Sequence, residues 1–312
     1  MEFVNKSLRL AIFGTRGIGL VHARIFKSLG VDVCAVLGSS EETALDAARQ
    51  LKESFGIEAR AFHRQEDLFE ETKPGAVSIC TPAKYHYDAI VASLDRNIPV
   101  FCEKPIFWEE GINRKDIEEK LGVLEKHTKR KIFVNTCSAS FMDCVIDAIG
   151  SRKNITSFYF KFYSQGPHVR SDIGLDLLPH GLSLLLRLFG PQEIKKLTER
   201  VDTHNYKCSF SYAECDVVFD FQELPGGSKD FIIGIDGRTF TRIQEGFGAT
   251  YRVYLEDSKT GEKIRCKDPF EVYIRRFIKY CQNGLQKEED SFEEAAANLR
   301  LAAEILLGRE NK

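Results

Sequence analysis

The sequence predicts a two-domain α/β protein: a parallel sheet covered by helices on both faces, then an α+β domain built on a mostly antiparallel open sheet. Three observations predict it. Over the first third of the chain, short apolar runs alternate with amphipathic stretches of helical period. After about residue 150 that rhythm gives way to strand-like, aromatic-rich runs that follow one another across turn-like joins such as LPGGSKD. A length of 312 residues also exceeds one typical small domain.

The elements follow in order. LRLAIFG (8–14) reads as a strand and GLVHARIFKSLG (19–30) as a helix closed by glycine. VDVCAVLG (31–38) is a second strand and ETALDAARQLKESFG (42–56) a second helix ending in glycine. A short IEARAF segment precedes a helical QEDLFEE. AVSIC (76–80), a helix over 84–96, IPVFC (98–102), a charged helix near 113–129 and the strand KIFVNT (131–136) complete the series. The strands are almost continuously apolar, as a sheet buried on both faces requires. Beyond them, ITSFYFKFY, QEIKKLTERV, YKCSFSY, CDVVFDFQ, DFIIGIDG and ATYRVYLED read as strands, with helices over 175–189, 269–282 and 291–308. The expected division is residues 1–130 and 131–312.

Composition narrows the function classes. Hydrophobic residues at 43% and charged residues at 29% describe an ordinary globular chain, and a formal charge of -2 gives no footprint for nucleic acid or an anionic membrane. No run approaches the roughly 20 apolar residues that cross a bilayer. MEFVNKSLRL lacks the apolar core of a signal peptide, so a cytoplasmic location is expected. The 9 cysteines are scattered without a CxxC pair, which suits reduced thiols, and no histidine pair completes a zinc set, so no metal is expected.

GTRGIG (14–19) sits between the first strand and helix. Gly14, Thr15, Arg16, Gly17, Ile18 and Gly19 form a turn that needs residues without side chains. The helix behind it offers free N–H groups and a positive dipole end to phosphate. The spacing GxxGxG is a variant of the dinucleotide fingerprint. A plain tight turn would explain the glycines alone; their place after the first strand of an alternating α/β region points to a Rossmann dinucleotide-binding domain. Where an acidic residue at the end of the second strand would hold the ribose 2′-OH of NAD, AVLGSSEE places Ser39 and Ser40. Small hydroxyl residues leave room for a 2′-phosphate, and Arg16 would add positive charge. Glu41 and Glu42 argue for NAD if they turn inward, but suit a first helical turn equally. NADP is favoured over NAD.

FCEKPI (101–106) puts Lys104 where an apolar strand ends, with Pro105 behind it. Proline restricts the residue before it, so Lys104 is held extended. In DLLPHGLS (176–183), Asp176 and His180 are four apart and share a helix face. The region TPAKYHYDAIVASLDRNIPVFCEKPI (81–106), with Thr81-Pro82, His86 and Glu103-Lys104-Pro105, resembles the signature of the Gfo/Idh/MocA oxidoreductases. His22 and the Asp176/His180 pair fit the same family. The resemblance implies hydride transfer between a nicotinamide cofactor and a secondary alcohol or ketone of a sugar, cyclitol or sugar derivative. It implies that Lys104, often followed by a cis proline, reaches between cofactor and substrate. His180 is then the candidate acid/base and Asp176 its partner, with Lys104 as the alternative proton donor, while Thr81, Pro82, His86 and Glu103 lie on the cofactor side. Tyr163 and Arg170, with His168 and Asp172, precede the second motif and are candidates for the substrate pocket, or for a solvated loop. The resemblance also implies a homo-oligomer, dimer or tetramer, formed through the open sheet.

The chain departs from the family pattern in places. Only Gly174 precedes the aspartate, Leu178 and Pro179 stand before His180, Ser183 stands where many members carry a second aspartate, and basic residues are missing from VNTCSASFMD. These departures leave the substrate open. Two alternatives remain beside the dehydrogenase: a non-catalytic dinucleotide-binding regulator and a C=N reductase.

Overall fold

A computed structural model describes residues 7–128, 132–246, 248–283 and 291–308. The chain forms two compact units, Met1–Asn135 with Phe270–Ala296, and Thr136–Pro269 with Ala297–Lys312.

In the first unit the elements run β1 (Arg9–Phe13), α1 (Ile18–Ser28), β2 (Asp32–Leu37), α2 (Glu41–Phe55), β3 (Arg60–Phe62), α3 (Gln65–Thr72), β4 (Ala76–Ile79), α4 (His86–Leu94), β5 (Val100–Cys102), α5 (Arg114–Thr128) and β6 (Ile132–Val134). The six strands are all parallel in the order β3-β2-β1-β4-β5-β6. Each crossover carries a helix, so both sheet faces are covered, and every residue of β4, β5 and β6 is buried. Gly56 caps α2 in the left-handed region, at φ 62°, as the sequence leads one to expect.

The second unit contains α6 (Phe141–Ile149), β7 (Ser157–Ser164), α7 (Ser171–Phe189), β8 (Lys195–Val201), β9 (Asn205–Tyr212), β10 (Cys215–Glu223), β11 (Asp230–Ile235), β12 (Arg238–Glu245), β13 (Arg252–Asp257) and β14 (Lys263–Cys266). Two further helices follow in the chain: α8 (Pro269–Asn283), which from Phe270 on belongs to the first unit, and α9 (Ser291–Leu306), which belongs to the second unit from Ala297 on. The eight strands lie in the order β14-β13-β12-β11-β7-β10-β9-β8, antiparallel except where β7 meets β10. One face of this sheet is apolar and packs on α7, with Phe158, Phe160, Phe219, Phe221, Phe231 and Phe240 all buried in a single core. The other face is partly exposed, as the alternating burial of β9 and β10 records.

Three elements exceed what periodicity announces. β12 (RTFTRIQE) alternates polar residues on both faces, β14 is only 4 residues long, and α6 is a 9-residue helix inside an apolar stretch. The helix expected from residue 175 begins at Ser171, because the polar SDIG forms a first turn rather than a loop.

Candidate functional site

At the carboxyl edge of the six-stranded sheet, the glycines of GTRGIG meet three separate demands. Gly14 takes φ +80°, and a Cβ there would lie 2.9 Å from the carbonyl oxygen of Cys80, beyond the end of β4. Gly17 takes φ 54° immediately before α1. A Cβ on Gly19 would stand 2.1 Å from the Gly14 carbonyl oxygen, so the helix can begin this close to the loop only with glycine. No side chain caps α1 and no acidic residue occupies its first turn, which leaves the positive end of its dipole uncompensated. Arg16 is exposed beside it.

After β2, Ser40 caps α2 in a reciprocal box with Thr43: the Thr43 N–H donates to Ser40 Oγ at 3.2 Å, and the Ser40 N–H to Thr43 Oγ1 at 2.9 Å. The Ser39 hydroxyl is exposed, 3.3 Å from Thr43 Oγ1. Glu41 and Glu42 lie exposed on the first turn of α2.

Beneath this edge lies a buried polar network. His22 of α1 is fully buried, with Nδ1 at 2.9 Å from Ser78 Oγ and 3.1 Å from Cys80 Sγ, and Nε2 at 2.8 Å from Glu103 Oε1. Glu103 also accepts from Asn135 Nδ2 at 2.6 Å. Burial alone would lower the His22 pKa, but Cys80 and Glu103 outweigh it and hold the imidazole at about 10. Glu103 is held below its ordinary value: burial pushes it up, and the bonds from His22 and Asn135 prevail. Glu103 is therefore an internal anchor, whereas the adjacent Lys104 is partly exposed. The Lys104–Pro105 peptide is cis, the form that the resemblance implies.

His86 is also internal. It is 1% exposed, and its two ring nitrogens lie 2.9 Å from the Pro105 carbonyl and 2.6 Å from the Thr81 carbonyl. It ties the segment after β4 to the segment after β5. Pro82 is exposed. Thr81 Oγ1 is buried and meets no hydrogen-bond partner among the described residues. An orphaned hydroxyl, a loop whose glycines let the backbone pack closely against β4 and α1, and an uncapped helix start fit a dinucleotide phosphate and ribose.

In the second unit, Asp176 and His180 lie on α7, both partly buried. His180 Nδ1 is 2.8 Å from Ser138 Oγ, and the imidazole meets the Phe162 ring edge-on at 5.2 Å between centroids. Ser183 donates to the His180 carbonyl at 2.8 Å, so the residue in the family's second acidic position braces the helix. Inside the helix, Asn298 Nδ2 donates to the Pro179 carbonyl at 2.9 Å.

Asp176 faces a pair that sequence spacing does not reveal. His168, Asp176 and Glu223 each bring one ligand-capable atom within 4.8 Å of the others. Glu223, fully buried, accepts from the His168 backbone N–H at 2.9 Å and lies 2.8 Å from His168 Nδ1, all through Oε2. Burial first, then the neighbouring Asp176 carboxyl, push the Glu223 carboxyl up. Ser138 and Glu223 are the site residues that sequence reasoning misses; each belongs to a segment distant in the chain from α7.

Of the candidate pocket residues, Tyr163 is turned away from the sheet face that His180 meets. Along β7, Phe158, Phe160 and Phe162 face α7, so Tyr163 points to the opposite sheet face, where its hydroxyl donates to Asp220 Oδ1 at 3.2 Å and Lys161 Nζ sits 4.2 Å from its ring. Arg170 is exposed just before α7, at φ 55°, its N–H bonded to the Thr203 carbonyl at 3.0 Å.

Comparison with known proteins gives both a family match and a fold match. Residues 8–135 match the model of an oxidoreductase family with an NAD-binding Rossmann fold. Myo-inositol 2-dehydrogenase of Thermotoga maritima is 27% identical over 119 residues, 38% of this chain and 33% of that protein. The match thus spans about a third of the length of such relatives. Over nearly the whole chain, a 3-ketoreductase of Actinomadura kijaniata in complex with NADP superposes with a TM-score of 0.74 at 17% identity, covering 97% of this chain and 98% of the other. UDP-N-acetylglucosamine 3-dehydrogenase of Acidithiobacillus ferrooxidans gives 0.73 at 15% identity, covering 96% and 97%. At these identities the likeness is one of fold.

Proposed function

We propose that the chain, whose residues 8–135 match the Gfo/Idh/MocA oxidoreductase family, transfers a hydride between a nicotinamide cofactor and a secondary alcohol or ketone of a sugar, cyclitol or sugar derivative. The observation that carries this reading is the Glu103-Lys104 pair at the carboxyl edge of an NAD-binding sheet. Glu103 is locked into the buried network, while Lys104 next to it is partly exposed.

Nicotinamide, when bound, supplies or accepts the hydride at C4. Gly14, Gly17 and Gly19 admit its pyrophosphate to the start of α1, and the Thr81 hydroxyl has a free bond to offer its ribose. His180 exchanges the hydroxyl proton of the substrate through Nε2. Ser138 serves both directions of the reaction: its hydroxyl accepts from Nδ1–H, which leaves Nε2 free as the base, and it keeps that bond in the imidazolium that returns the proton from Nε2 in the reverse direction. Lys104 hydrogen-bonds the reacting oxygen and stabilises the charge that develops there. Asp176 orients a neighbouring hydroxyl.

The reading favours NADP over NAD. No acidic residue follows β2 before Ser39, the Ser39 hydroxyl and Arg16 are exposed, and Glu41 and Glu42 stand out on the helix. The partly exposed outer face of the second sheet, with Tyr159, Val218, Ile232, Ile243 and Tyr254, suits a second copy of the chain, giving a homo-oligomer. No described helix is long and apolar enough to cross a membrane.

The test is a panel of sugars, cyclitols and nucleotide sugars, read at the nicotinamide absorbance band with NADP and NAD in parallel. Turnover is expected with at least one polyol. Lys104→Ala should lower it by about 100-fold or more while cofactor affinity, read by fluorescence titration, is retained. Cofactor binding without turnover anywhere in the panel would favour the regulator.

A further inference from the structure

The inward face of the eight-stranded sheet is built in lateral rows, and one row contains a charge. Tyr206, Phe221, Phe162 and Phe231 are successive partners across β9, β10, β7 and β11. On β12 the next position is Arg242, whose partner on β13 is the fully buried Leu255, followed by Ile264 on β14. The Arg242 guanidinium stacks 4.4 Å from the centroid of Phe231 and 5.6 Å from that of Phe162. Phe162 also meets the His180 imidazole in a T-shaped contact, so cation and imidazole both touch one ring.

Arg238, on the same strand and face, shows what a structural arginine looks like in this sheet. It donates from Nε to Asp257 Oδ1 at 2.9 Å, from Nη2 to Asp257 Oδ2, and from Nη1 to the Ala148 carbonyl at 2.9 Å. Arg242, two pleat repeats further along, has no carboxylate or hydrogen-bond acceptor among the described residues. Burial pulls its pKa below the usual arginine range; the groups that oppose this are Tyr251 and Cys137, not an acid. Arg242 is partly buried, so its guanidinium keeps some solvent but meets no protein acceptor, and an anion entering with a ligand would supply one. Its planar fork matches carboxylate and phosphate oxygens.

We propose that Arg242 recognises an oxyanion on the substrate, so that the compound turned over is a sugar or cyclitol derivative carrying a carboxylate or a phosphate ester. This rests on the dehydrogenase reading above and narrows it. The two anion sources share the fork chemistry and are separated by the assay.

The experiment compares hexuronates and hexose phosphates with their neutral parent sugars at constant ionic strength. Steady-state turnover and calorimetric binding are measured on the wild type, Arg242→Met and Arg242→Lys. Methionine keeps an apolar, polarisable stem against Phe231, and lysine keeps the charge without the fork. In the wild type one anionic class should exceed its neutral parent about 30-fold in kcat/KM, mostly through KM. Arg242→Met should erase that preference and Arg242→Lys retain part of it; should the methionine variant not fold, a drop of about 5-fold in the lysine variant carries the result. Neutral sugars turned over as well as anionic ones, or an anionic preference unchanged in both variants, would overturn the assignment and leave the dehydrogenase reading standing. Anion binding that depends on Arg242 without turnover of any compound would support the anion site and sink the dehydrogenase reading.

Discussion

Glu103→Gln tests whether the buried pair beneath the dinucleotide loop is ionic. His22 is fully buried and is held at about 10, against an ordinary 6.5. A cation retained in this way stabilises the folded unit by about 4 kcal/mol at pH 7 as an upper bound. Burial opposes the shift, and Cys80 first and then Glu103 raise it, so the glutamate carries at most about half, up to roughly 2 kcal/mol. A glutamine in its place keeps an acceptor for Asn135, so the loss isolates the charge. Because the folded pKa of His22 is raised, its contribution is complete below about 6.5 and disappears as pH climbs through about 10. Glu103 has a lowered folded pKa, so its contribution is present above its ordinary 4.5 and fades as the solution becomes more acid. The wild type should therefore exceed the variant by about 1 to 2 kcal/mol at pH 7 and by under about 0.5 kcal/mol at pH 10.5. Urea unfolding followed at Trp108 reads this directly, since the chain has 1 tryptophan and it lies in the same unit. A loss of equal size at both pH values, or no loss at pH 7, would refute an ionic pair.

Gly19→Ala forces a Cβ to within 2.1 Å of the Gly14 carbonyl, so the loop must move away from α1. Dinucleotide affinity should fall at least about 10-fold in a fluorescence titration, since phosphate binding depends on the helix start. Ser138→Ala removes the partner of His180 Nδ1, 2.8 Å away; kcat should drop about 10-fold with cofactor affinity unchanged. Gly166→Ala would push a Cβ to 2.0 Å from Glu223 Oε2 and should cost about 2 kcal/mol in thermal unfolding, because the Glu223 side chain is fully buried and cannot swing to solvent.

The first unit was legible because its signals are local. Apolar strand, glycine turn and amphipathic helix each act within a few residues, and Gly14, Gly17 and Gly19 declare the tight turn through the side chains they lack. The Asp176/His180 pair was legible for the same reason, four residues on a helix placing both on one face. The period of β12 was not, because an inward Arg242 between Phe240 and Gln244 imitates an exposed strand. Tyr163 reads as a pocket residue from its place before the second motif; the pleat of β7 turns it to the far face, and a one-residue shift in register would have turned it back.

Chain order and side-chain chemistry were enough to announce the two architectures and the glycine loop, since each depends on contacts between near neighbours, whereas Lys104 and His180 were singled out by the resemblance. Which groups gather around His180 and Asp176 was settled by folding. Ser138, Glu223 and Arg242 come from a turn before α6 and from strands β10 and β12, and strand pairing over long separations has no local period to reveal it.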